Sequence, residues 1–519
     1  MKLKQFGDFQ TPLDLARQIL QGLGPVGPQW DRVLEPTCGR GNFIRGLLQL
    51  DSPPREIIGI EIQDSYYQEA QSLASSSVQI IHGDIFQLNL ARALAWKTTG
   101  PLLVIGNPPW VTNAEIGSIG GDNLPRKKNI KRLRGIEAIM GPSNFDLAEF
   151  IWIKLIQELA VEQATIALLC KTSVVRNLLS YAQQARWPIG KIKIRALDAK
   201  KWFGASVGAC LLSLQTGMPR ANYHAQVLEP LDASARRFTI GFCNGHLVSD
   251  QKAYQTVSFL EGASPFQWRQ GIKHDAAAIL ELTRKDGEWF NGKGDRVEVE
   301  EEFIFPLLKG SDVQSFHGQP SLPRAVIVPQ KEIGQDTRVL QEQAPRLWHY
   351  LSDYAGIFQK RKSSIYNNKP PFSIFGVGNY SFSPYKVIVS GLHKSPRFIA
   401  VGPVGSKPVF CDDTCYLLPC HSSLQAAVIA ALLNHSLAQT FLQSIIFRDA
   451  KRPITKTVLR RINLLELARR IPCEDVRETI GSTLGILETS KEKEYPKVIN
   501  LIEALELHHQ TTQPSLFGP

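Results

Sequence analysis

Four consecutive residues, Asn107-Pro108-Pro109-Trp110, have the chemistry of a loop that could bind a planar amino group. The two prolines fix an extended backbone and lack N–H donors, so carbonyl oxygens stay free to accept hydrogen bonds. The Asn107 side-chain oxygen and the Pro108 carbonyl oxygen can then accept both hydrogens of one amino group. Two acceptors favour a pyramidal nitrogen and free its lone pair for attack on an electrophile. Taken alone, the four residues could also form an ordinary turn.

Trp110 adds an aromatic surface to this segment. A flat ring of this size can stack on an extracted nucleobase, and such stacking contributes ~1–3 kcal/mol per base. The preceding residues, 102–105, form an apolar run that predicts a buried strand. The four residues therefore follow a strand directly, which is where α/β sheets bind their ligands.

Acidic and glycine-rich segments follow three earlier strands in the same way. A predicted strand at 32–34 leads into a turn with Gly39 and Gly41, where the backbone can approach a ligand closely. Glu61 ends the next strand, where a carboxylate can hold ribose hydroxyls. Asp84 follows a third strand, where it could bond an adenine amino group. Each acid alone could be a solvated strand end, but their order predicts a nucleoside cofactor.

These segments must be positioned by the alternating strands and helices of residues 1–215. The alternation predicts an α/β fold, with a mainly parallel sheet that is covered on both faces. The predicted strands are residues 32–34, 56–60, 78–81, 102–105, 164–170, 192–197 and 210–214. The predicted helices are residues 13–23, 42–50, 66–75, 144–162 and 180–185.

The pattern changes after residue 218, where turns rich in glycine and proline become frequent. We therefore place a domain boundary near residue 220. This gives one α/β domain at 1–220 and a second, α+β domain at 221–519. A helical segment at about 423–507 is expected to close the second domain.

The composition of the 519-residue chain excludes disorder and suits a polyanionic partner. Hydrophobic residues make up 43% and charged residues 21%, which is enough apolar surface for large cores. The formal net charge of +11 favours partners such as nucleic acids. Neither a signal-peptide core nor an apolar run of about 18 residues occurs in the sequence. These features predict a soluble, cytoplasmic protein.

The eight cysteines are few for this length and lie mostly in apolar runs, which indicates buried free thiols. Cys411, Cys415, Cys420 and His421 form the one cluster among them. The cluster lacks the paired C-x-x-C spacing of zinc sites, so a strand edge and turn is the favoured interpretation. We predict no metal site.

The order of these motifs resembles that of the gamma class of DNA adenine-N6 methyltransferases, of restriction–modification type. The resemblance begins at Phe9-Gln10-Thr11-Pro12 and ends at Trp202-Phe203-Gly204. Between them lie the turn at 35–41, Glu61, Asp84, Asn107-Pro108-Pro109-Trp110, the segment 143–159 and Lys171-Thr172-Ser173. Two departures are the turn sequence E-P-T-C-G-R-G, which is usually richer in glycine and alanine, and tryptophan in place of the frequent tyrosine at position 110.

The resemblance implies a Rossmann-like class I fold with S-adenosylmethionine as the cofactor. It also implies methyl transfer to N6 of a flipped-out adenine in duplex DNA. The implied catalytic residues are Asn107, Pro108, Pro109 and Trp110, and the implied base-stacking residues are Trp110 and Phe203. The implied cofactor-binding residues are Thr11, Glu35, Pro36, Thr37, Cys38, Gly39, Gly41, Glu61, Ile62, Asp84, Ile85 and Asn107.

Basic side chains in two regions are candidates for binding double-stranded DNA. The long segment 111–140 carries six of them, which are Arg126, Lys127, Lys128, Lys131, Arg132 and Arg134. Their position beside Trp110 favours phosphate contacts, although a solvated charged loop has the same composition. The resemblance implies further target-recognition segments at 268–273, 305–313, 394–398, 413–416 and 449–455. Their predicted DNA-binding side chains are Lys394, Arg397, Lys451 and Arg452.

Two other functions share part of this pattern. The same four-residue loop occurs in enzymes that methylate an RNA base or a protein glutamine amide, and a non-catalytic DNA-binding protein would also be basic. A long basic domain after the catalytic fold suits a duplex better than a peptide. The sequence therefore predicts a DNA methyltransferase for restriction–modification or phage defence. A separate endonuclease or defence subunits would carry out any cleavage.

Neutralising three of the six basic residues at 126–134 tests their contact with DNA. Each phosphate contact releases counterions, so the slope of log affinity against log salt should become shallower by about 2–3. The slope is measured by titrating a fluorescent duplex into the protein at several salt concentrations. An unchanged slope would show that these side chains face solvent.

Overall fold

A computed structural model describes residues 9–111, 146–228, 238–264, 266–316, 323–472 and 474–476 of the protein. The chain divides into two compact units, Met1–Lys252 and Ala253–Pro519. Each unit has its own buried apolar clusters, as expected of an independent domain. The basic residues at 126–134, the start of the predicted helix at 144 and the end of the predicted tail at 477–507 lie outside the described residues.

The first unit is built on one ten-stranded sheet. Its strands are β1 Arg32–Glu35, β2 Glu56–Glu61, β3 Val78–His82, β4 Leu102–Gly106, β5 Thr165–Lys171, β6 Gly190–Leu197, β7 Ala209–Gln215, β8 Ala225–Leu228, β9 Phe238–Cys243 and β10 His246–Val248. Their order is β10-β9-β8-β6-β7-β5-β4-β1-β2-β3. Strands β3-β2-β1-β4-β5 are parallel, and β7 lies antiparallel between β5 and β6. The predicted α/β fold with a mainly parallel, Rossmann-like sheet is confirmed.

Helices cover both faces of this sheet. They are α1 Leu13–Leu23, α2 Val26–Gln29, α3 Asn42–Leu48, α4 Asp64–Gln71, α5 Leu90–Ala93, α6 Leu147–Glu158, α7 Thr172–Gln184 and α8 Ala199–Phe203. Residues of α1 and α3 share an apolar cluster with Val33, whereas residues of α6 and α7 share one with Leu34. Because neighbouring strand residues point to opposite faces, β1 is buried on both sides, as parallel strands generally are.

Two features of the first unit differ from the sequence prediction. The unit ends at Lys252 rather than near residue 220, because β8 and β9 continue the sheet from β6. These strands are short and only partly buried, so their periodicity is too weak to identify them. Helix α7 begins at Thr172 rather than at 180. Its Val174 and Val175 are β-branched residues typical of strands, but they lie on its buried face.

The second unit combines two sheets with helices, in agreement with the predicted α+β class. One sheet has the order β11-β19-β16-β17 and the other β13-β12-β15-β14-β18. These strands are β11 Arg269–Gln270, β12 Glu281–Lys285, β13 Glu288–Asn291, β14 Ile304–Leu308, β15 Arg324–Ile327, β16 Tyr385–Ser390, β17 Phe398–Val401, β18 Phe410–Cys411 and β19 Cys415–Cys420.

The remaining helices begin at the end of the first unit and continue through the second. They are α9 Gln251–Val257, α10 Ala277–Leu280, α11 Leu340–Gln343, α12 Pro345–Asp353, α13 Ala355–Gln359, α14 Ser423–Asn434, α15 Ser436–Ile445, α16 Lys456–Leu459 and α17 Leu464–Arg470. Short 3-10 helices span Ser258–Leu260, Glu301–Phe303, Thr337–Val339, Ser364–Tyr366 and Asn379–Phe382. Within the described residues, no helix is long and apolar enough to cross a membrane.

The cysteine cluster forms a strand edge and turn, as predicted. Cys411 ends β18 and Cys415 begins β19, and both thiols are buried and free. Among the described residues, no three His, Cys, Asp or Glu side chains form a group that could hold a metal ion.

Candidate active site

The polar residues of the predicted site lie at one edge of the first unit's sheet. Glu35, Glu61 and Lys171 are the last residues of β1, β2 and β5. Asp84 and Asn107 follow β3 and β4 within two residues. Strands β3-β2-β1-β4-β5 are parallel neighbours, so their C-terminal ends meet at the same edge. The structure therefore brings together the strand-end residues that the sequence predicted.

The turn after β1 depends on its two glycines. Gly39 and Gly41 have φ angles of +51° and +77°, in the left-handed region that favours glycine. A Cβ atom on Gly39 would collide with the Gln10 side-chain oxygen. The backbone of this turn can thus come close to a neighbouring group in a way that other residues would prevent.

The Glu61 carboxylate holds that turn against the end of β2. Its Oε2 accepts a hydrogen bond from the Gly39 N–H at 2.8 Å. Its Oε1 accepts from the N–H groups of Ile62 at 3.0 Å and Gln63 at 2.8 Å. Three backbone donors therefore fix a residue whose carboxylate the sequence predicted to hold a ribose.

The Glu35 carboxyl is buried beside Glu61, with 2% of the residue exposed. Its Oε2 has no hydrogen-bond partner among the described residues. Burial raises the pKa of Glu35 well above its ordinary value, and the charge of Glu61 raises this pKa further. Two neighbouring carboxyl groups with an unsatisfied oxygen suit a ligand that brings positive charge or N–H donors. The sulfonium and ammonium groups of S-adenosylmethionine meet that requirement.

The other predicted cofactor-binding residues surround the same edge. The carbonyl of Thr11 accepts from the Asn42 side chain at 2.8 Å, and the buried Thr37 hydroxyl has no partner among the residues described.

Asp84 accepts from the Phe86 N–H at 2.9 Å and from the Gln87 amide at 3.2 Å, so it also shapes its own loop. Pro36, Cys38 and Ile85 are buried, whereas Ile62 is exposed. Their contacts with a cofactor stay predictions.

Residues 107–110, which we call the acceptor loop, present one side-chain oxygen without a partner. The Asn107 Nδ2 atom donates to the Phe9 carbonyl oxygen at 2.7 Å. The Asn107 Oδ1 atom is buried and accepts no hydrogen bond within the described structure. Because buried amide oxygens are nearly always satisfied, this oxygen is suited to a donor from a ligand.

An aromatic cluster of Phe9, Trp110 and Phe203 covers the acceptor loop. The Trp110 ring centroid lies 5.5 Å from that of Phe9 and 5.3 Å from that of Phe203. Only 3% of Trp110 is exposed, and its Nε1 has no partner among the described residues. Phe203, the second base-stacking residue that the resemblance implies, makes an edge-to-face ring contact with Trp110. Trp202 instead lies 5.0 Å from the Lys201 ammonium.

The sequence analysis named Lys171 and the segment 143–159 but missed the buried charged contacts that they make beside this loop. The Lys171 Nζ donates to the Trp110 carbonyl oxygen at 3.0 Å and pairs with Asp146 Oδ2 at 2.6 Å. Asn177 donates to Glu149 Oε1 at 2.7 Å. The available signal was the apolar run that forms α6, in which Glu149 is an ionisable residue buried between apolar neighbours.

Three of the predicted target-recognition segments of the second unit meet at one turn, residues 412–414, where the predicted segment 413–416 begins. Hydrogen bonds of 2.7–3.3 Å reach this turn from Gln270, Gly310 and Arg452, which lie in the segments 268–273, 305–313 and 449–455. Gly391, which also donates to the turn, lies before the remaining predicted segment, 394–398. The tertiary fold therefore places four of the five predicted segments side by side.

The four basic residues predicted in these segments fall into two groups. Arg397 donates to the carbonyl oxygens of Val313, Gln314 and Phe316, and Arg452 pairs with Asp413 at 3.1 Å. Lys394 and Lys451 are exposed. The two arginines anchor loops within the unit, whereas the two lysines point their charge towards solvent.

Comparisons with known proteins find one relative that spans nearly the whole chain. The Type II methyltransferase M.NspV of Nostoc sp. is 38% identical over 472 residues, which cover 90% of this chain and 98% of M.NspV. The Type II methyltransferase M.CvrRI of Paramecium bursaria Chlorella virus XZ-6E is 33% identical over 107 residues, or 20% of this chain and 25% of M.CvrRI. No family model matches the chain.

Among solved structures, the Type IIL restriction-modification enzyme MmeI in complex with DNA has a similar fold. The TM-score is 0.50 at 12% sequence identity, and the match covers 98% of this chain and 76% of the MmeI chain. At that identity the likeness concerns the fold alone.

The variant Glu149→Gln tests the buried carboxyl of α6. Burial raises the pKa of Glu149 to about 7 from an ordinary 4.5. The hydrogen bond from Asn177 and the charge of Lys171 oppose this shift, and the charge of Asp146 adds to it. Between about pH 4.5 and pH 7 the folded state therefore holds a proton that the unfolded state has lost. The stabilisation that this proton gives decreases as pH rises and is lost once pH passes about 7. Because Gln cannot titrate, the variant should lose less stability between about pH 5 and pH 8, by about 3 kcal/mol. Urea unfolding at both pH values measures this, and equal losses in both proteins would contradict it.

Arg397→Ala should lower the stability of the second unit, whereas Lys394→Ala should weaken binding to DNA. Removing the Arg397 guanidinium leaves three carbonyl oxygens without their donor and should destabilise the second unit by about 2 kcal/mol or more. Lys394→Ala should change stability by at most about 0.5 kcal/mol but weaken binding to duplex DNA. Denaturation curves and DNA titrations measure both. Normal stability of Arg397→Ala would contradict the anchoring role.

Proposed function

The chain belongs to the Type II methyltransferases, and on that premise we propose that it methylates N6 of adenine within a specific sequence of duplex DNA. The protein is a DNA methyltransferase of restriction–modification type, and its cofactor is S-adenosylmethionine. We further propose that it belongs to the gamma class of adenine-N6 methyltransferases.

The main support for this proposal is the orientation of the Asn107 amide. Its nitrogen is engaged by the Phe9 carbonyl oxygen at 2.7 Å, which orients the buried, unpartnered oxygen for a donor from outside the chain. The following prolines leave the Pro108 carbonyl available as a second acceptor. Two acceptors at the end of β4 match the two hydrogens of an aromatic amino group such as N6 of adenine.

The acceptor loop would prepare the amino nitrogen for attack. S-adenosylmethionine supplies an activated methyl group when bound. Hydrogen bonds to Asn107 Oδ1 and the Pro108 carbonyl draw the amino group out of conjugation with the ring and direct its lone pair. The reaction forms a carbon–nitrogen bond and breaks the methyl–sulfur bond, after which one amino proton leaves to solvent. A strong general base is unnecessary, because this proton becomes acidic only as the methyl group arrives.

Residues at the neighbouring strand ends would hold the cofactor. Glu35, with its unsatisfied oxygen, suits the positively charged methionine end, and the Gly39 turn allows close approach there. Glu61 suits the ribose, because its carboxylate is already fixed by three backbone donors. Asp84 is the proposed partner of the adenine amino group of the cofactor.

The target adenine must leave the duplex, because its amino nitrogen cannot reach a methyl donor while stacked and paired. Trp110 and Phe203 are the proposed stacking partners. Trp110 is buried and its ring contacts Phe9 and Phe203, so a base could stack on it only after a neighbouring group moves away. The stacking of the base then offsets part of the unpairing cost, at ~1–3 kcal/mol per base.

The biological setting proposed is restriction–modification or phage defence in the cytoplasm. Methylation of an RNA base or of a protein glutamine uses the same acceptors, but the relationship to Type II methyltransferases does not favour them. Double-stranded DNA is the proposed partner. A separate endonuclease or defence subunits would recognise the same DNA sequence.

Asn107→Ala should reduce methyl transfer by about a hundredfold or more, because it removes one of the two acceptors. Cofactor affinity should fall only moderately. The measurement is nucleoside mass spectrometry of DNA incubated with the enzyme and cofactor, which also identifies the methylated base. Asn89→Ala is the matched control, since Asn89 caps α5 through the Arg92 N–H and is not among the residues assigned to the site. Full activity of Asn107→Ala would refute the mechanism, and a methylated base other than adenine would refute the specificity.

A further inference from the structure

Lys171 joins three segments of the first unit at the active-site edge. The residue ends β5, and its ammonium donates to the Trp110 carbonyl at 3.0 Å. The same ammonium pairs with Asp146 at 2.6 Å. Asp146 is the N-cap of α6, where its Oδ1 accepts from the Ala148 N–H at 3.1 Å. One side chain therefore connects the sheet, the acceptor loop and the start of α6.

The acceptor loop is anchored at both of its ends. At the start, the Asn107 amide donates to Phe9, and just beyond the end the Leu147 N–H donates to the Val111 carbonyl at 2.9 Å. Pro108 and Pro109 have no N–H groups between these anchors, so contacts must use carbonyl oxygens or side chains. The bond from Lys171 is a contact of that kind, and it fixes the peptide plane between Trp110 and Val111.

The Lys171 contact is also strong and shielded from water. Only 20% of the Lys171 side chain and 6% of the Asp146 side chain are exposed. A charge-assisted hydrogen bond in such surroundings is shorter and stronger than a neutral one. Removing the ammonium would take one charged contact from the buried Asp146 carboxylate, so the start of α6 would also lose a restraint.

We propose that Lys171 is a positioning residue for methyl transfer, which acts by fixing the Trp110 carbonyl and thereby the direction of the two acceptor oxygens. The inference rests on the proposed function, since it concerns the same acceptor loop. Lys171 acts through the loop rather than on the substrate. Its loss therefore affects the rate of transfer more than the binding of cofactor.

Single-turnover methylation by Lys171→Met tests this role. A displacement of about 1 Å in a reacting group can cost about a hundredfold in rate, so a loss of that size is expected. Cofactor affinity, measured by calorimetry, should change by no more than about twofold. Lys171→Arg should restore much of the rate, because a guanidinium can donate to both oxygens.

Lys154→Met is the matched control. Lys154 is a similarly buried lysine that pairs with Glu158 within α6. If Lys171 is a positioning residue, Lys154→Met should keep a near-normal rate in the folded protein. If both variants lose rate and thermal stability in parallel, Lys171 is only a structural ion pair and the inference is wrong.

Further outcomes separate this inference from the proposed function. Full activity of Lys171→Met, together with an inactive Asn107→Ala, would overturn the role of Lys171 and leave the proposed function intact. A crystal structure of Lys171→Met with an unmoved Trp110 carbonyl would overturn it without any measurement of turnover. Should Lys171→Met fail to fold, Asp146→Asn carries the test, because it removes the charge that holds the ammonium. A rate about tenfold lower is then expected, and an unchanged rate would again overturn the role.

Discussion

The arrangement of the candidate active-site edge depends on the hydrogen bonds that the Glu61 carboxylate accepts. It accepts hydrogen bonds from the Gly39, Ile62 and Gln63 N–H groups, and so binds the turn after β1 to the end of β2. The left-handed glycines can form that turn, but a donor–acceptor contact of this kind is what keeps it in place. Because β1 and β2 are neighbours, the Glu35 carboxyl lies beside Glu61. The unsatisfied oxygen of Glu35 there suits a hydrogen-bond donor or a positively charged group of a ligand.

Asn107 uses one polar atom for the fold and leaves the other without a partner among the described residues. Its amide nitrogen donates to the Phe9 carbonyl, whereas its buried oxygen accepts no hydrogen bond there. On the proposed function, an acceptor fixed in this way would need little reorganisation when a substrate binds, which is how preorganised sites lower barriers. The Trp110 ring is different, because the aromatic cluster that stabilises it also covers the surface on which a base would stack.

The basic residues of the predicted target-recognition segments in the second unit have two different structural roles. Arg397 is directed towards carbonyl oxygens of residues 313–316, and Arg452 towards oxygens of Asp413 in the turn at 412–414. Each arginine thereby holds a neighbouring loop in place. Lys394 is exposed on the loop that these contacts support. Arginine, with its planar fork of donors, suits the anchoring role, whereas a lysine on a flexible stem suits contact with phosphate. In these segments the two arginines therefore anchor loops, and the exposed lysine presents its charge to solvent.

The sequence alone determined the α/β class and the order of polar residues at the strand ends, because both depend on local periodicity and on short contiguous motifs. It also singled out Asn107 and Trp110 as candidates, because their chemistry is evident within four residues. Only the tertiary structure decided which side-chain atom of Asn107 has no partner among the described residues. The Asn107 amide is oriented by Phe9, which lies 98 residues away in the chain, and Lys171 reaches Trp110 across 61 residues. Such contacts depend on the order of strands in the sheet, which no local pattern encodes.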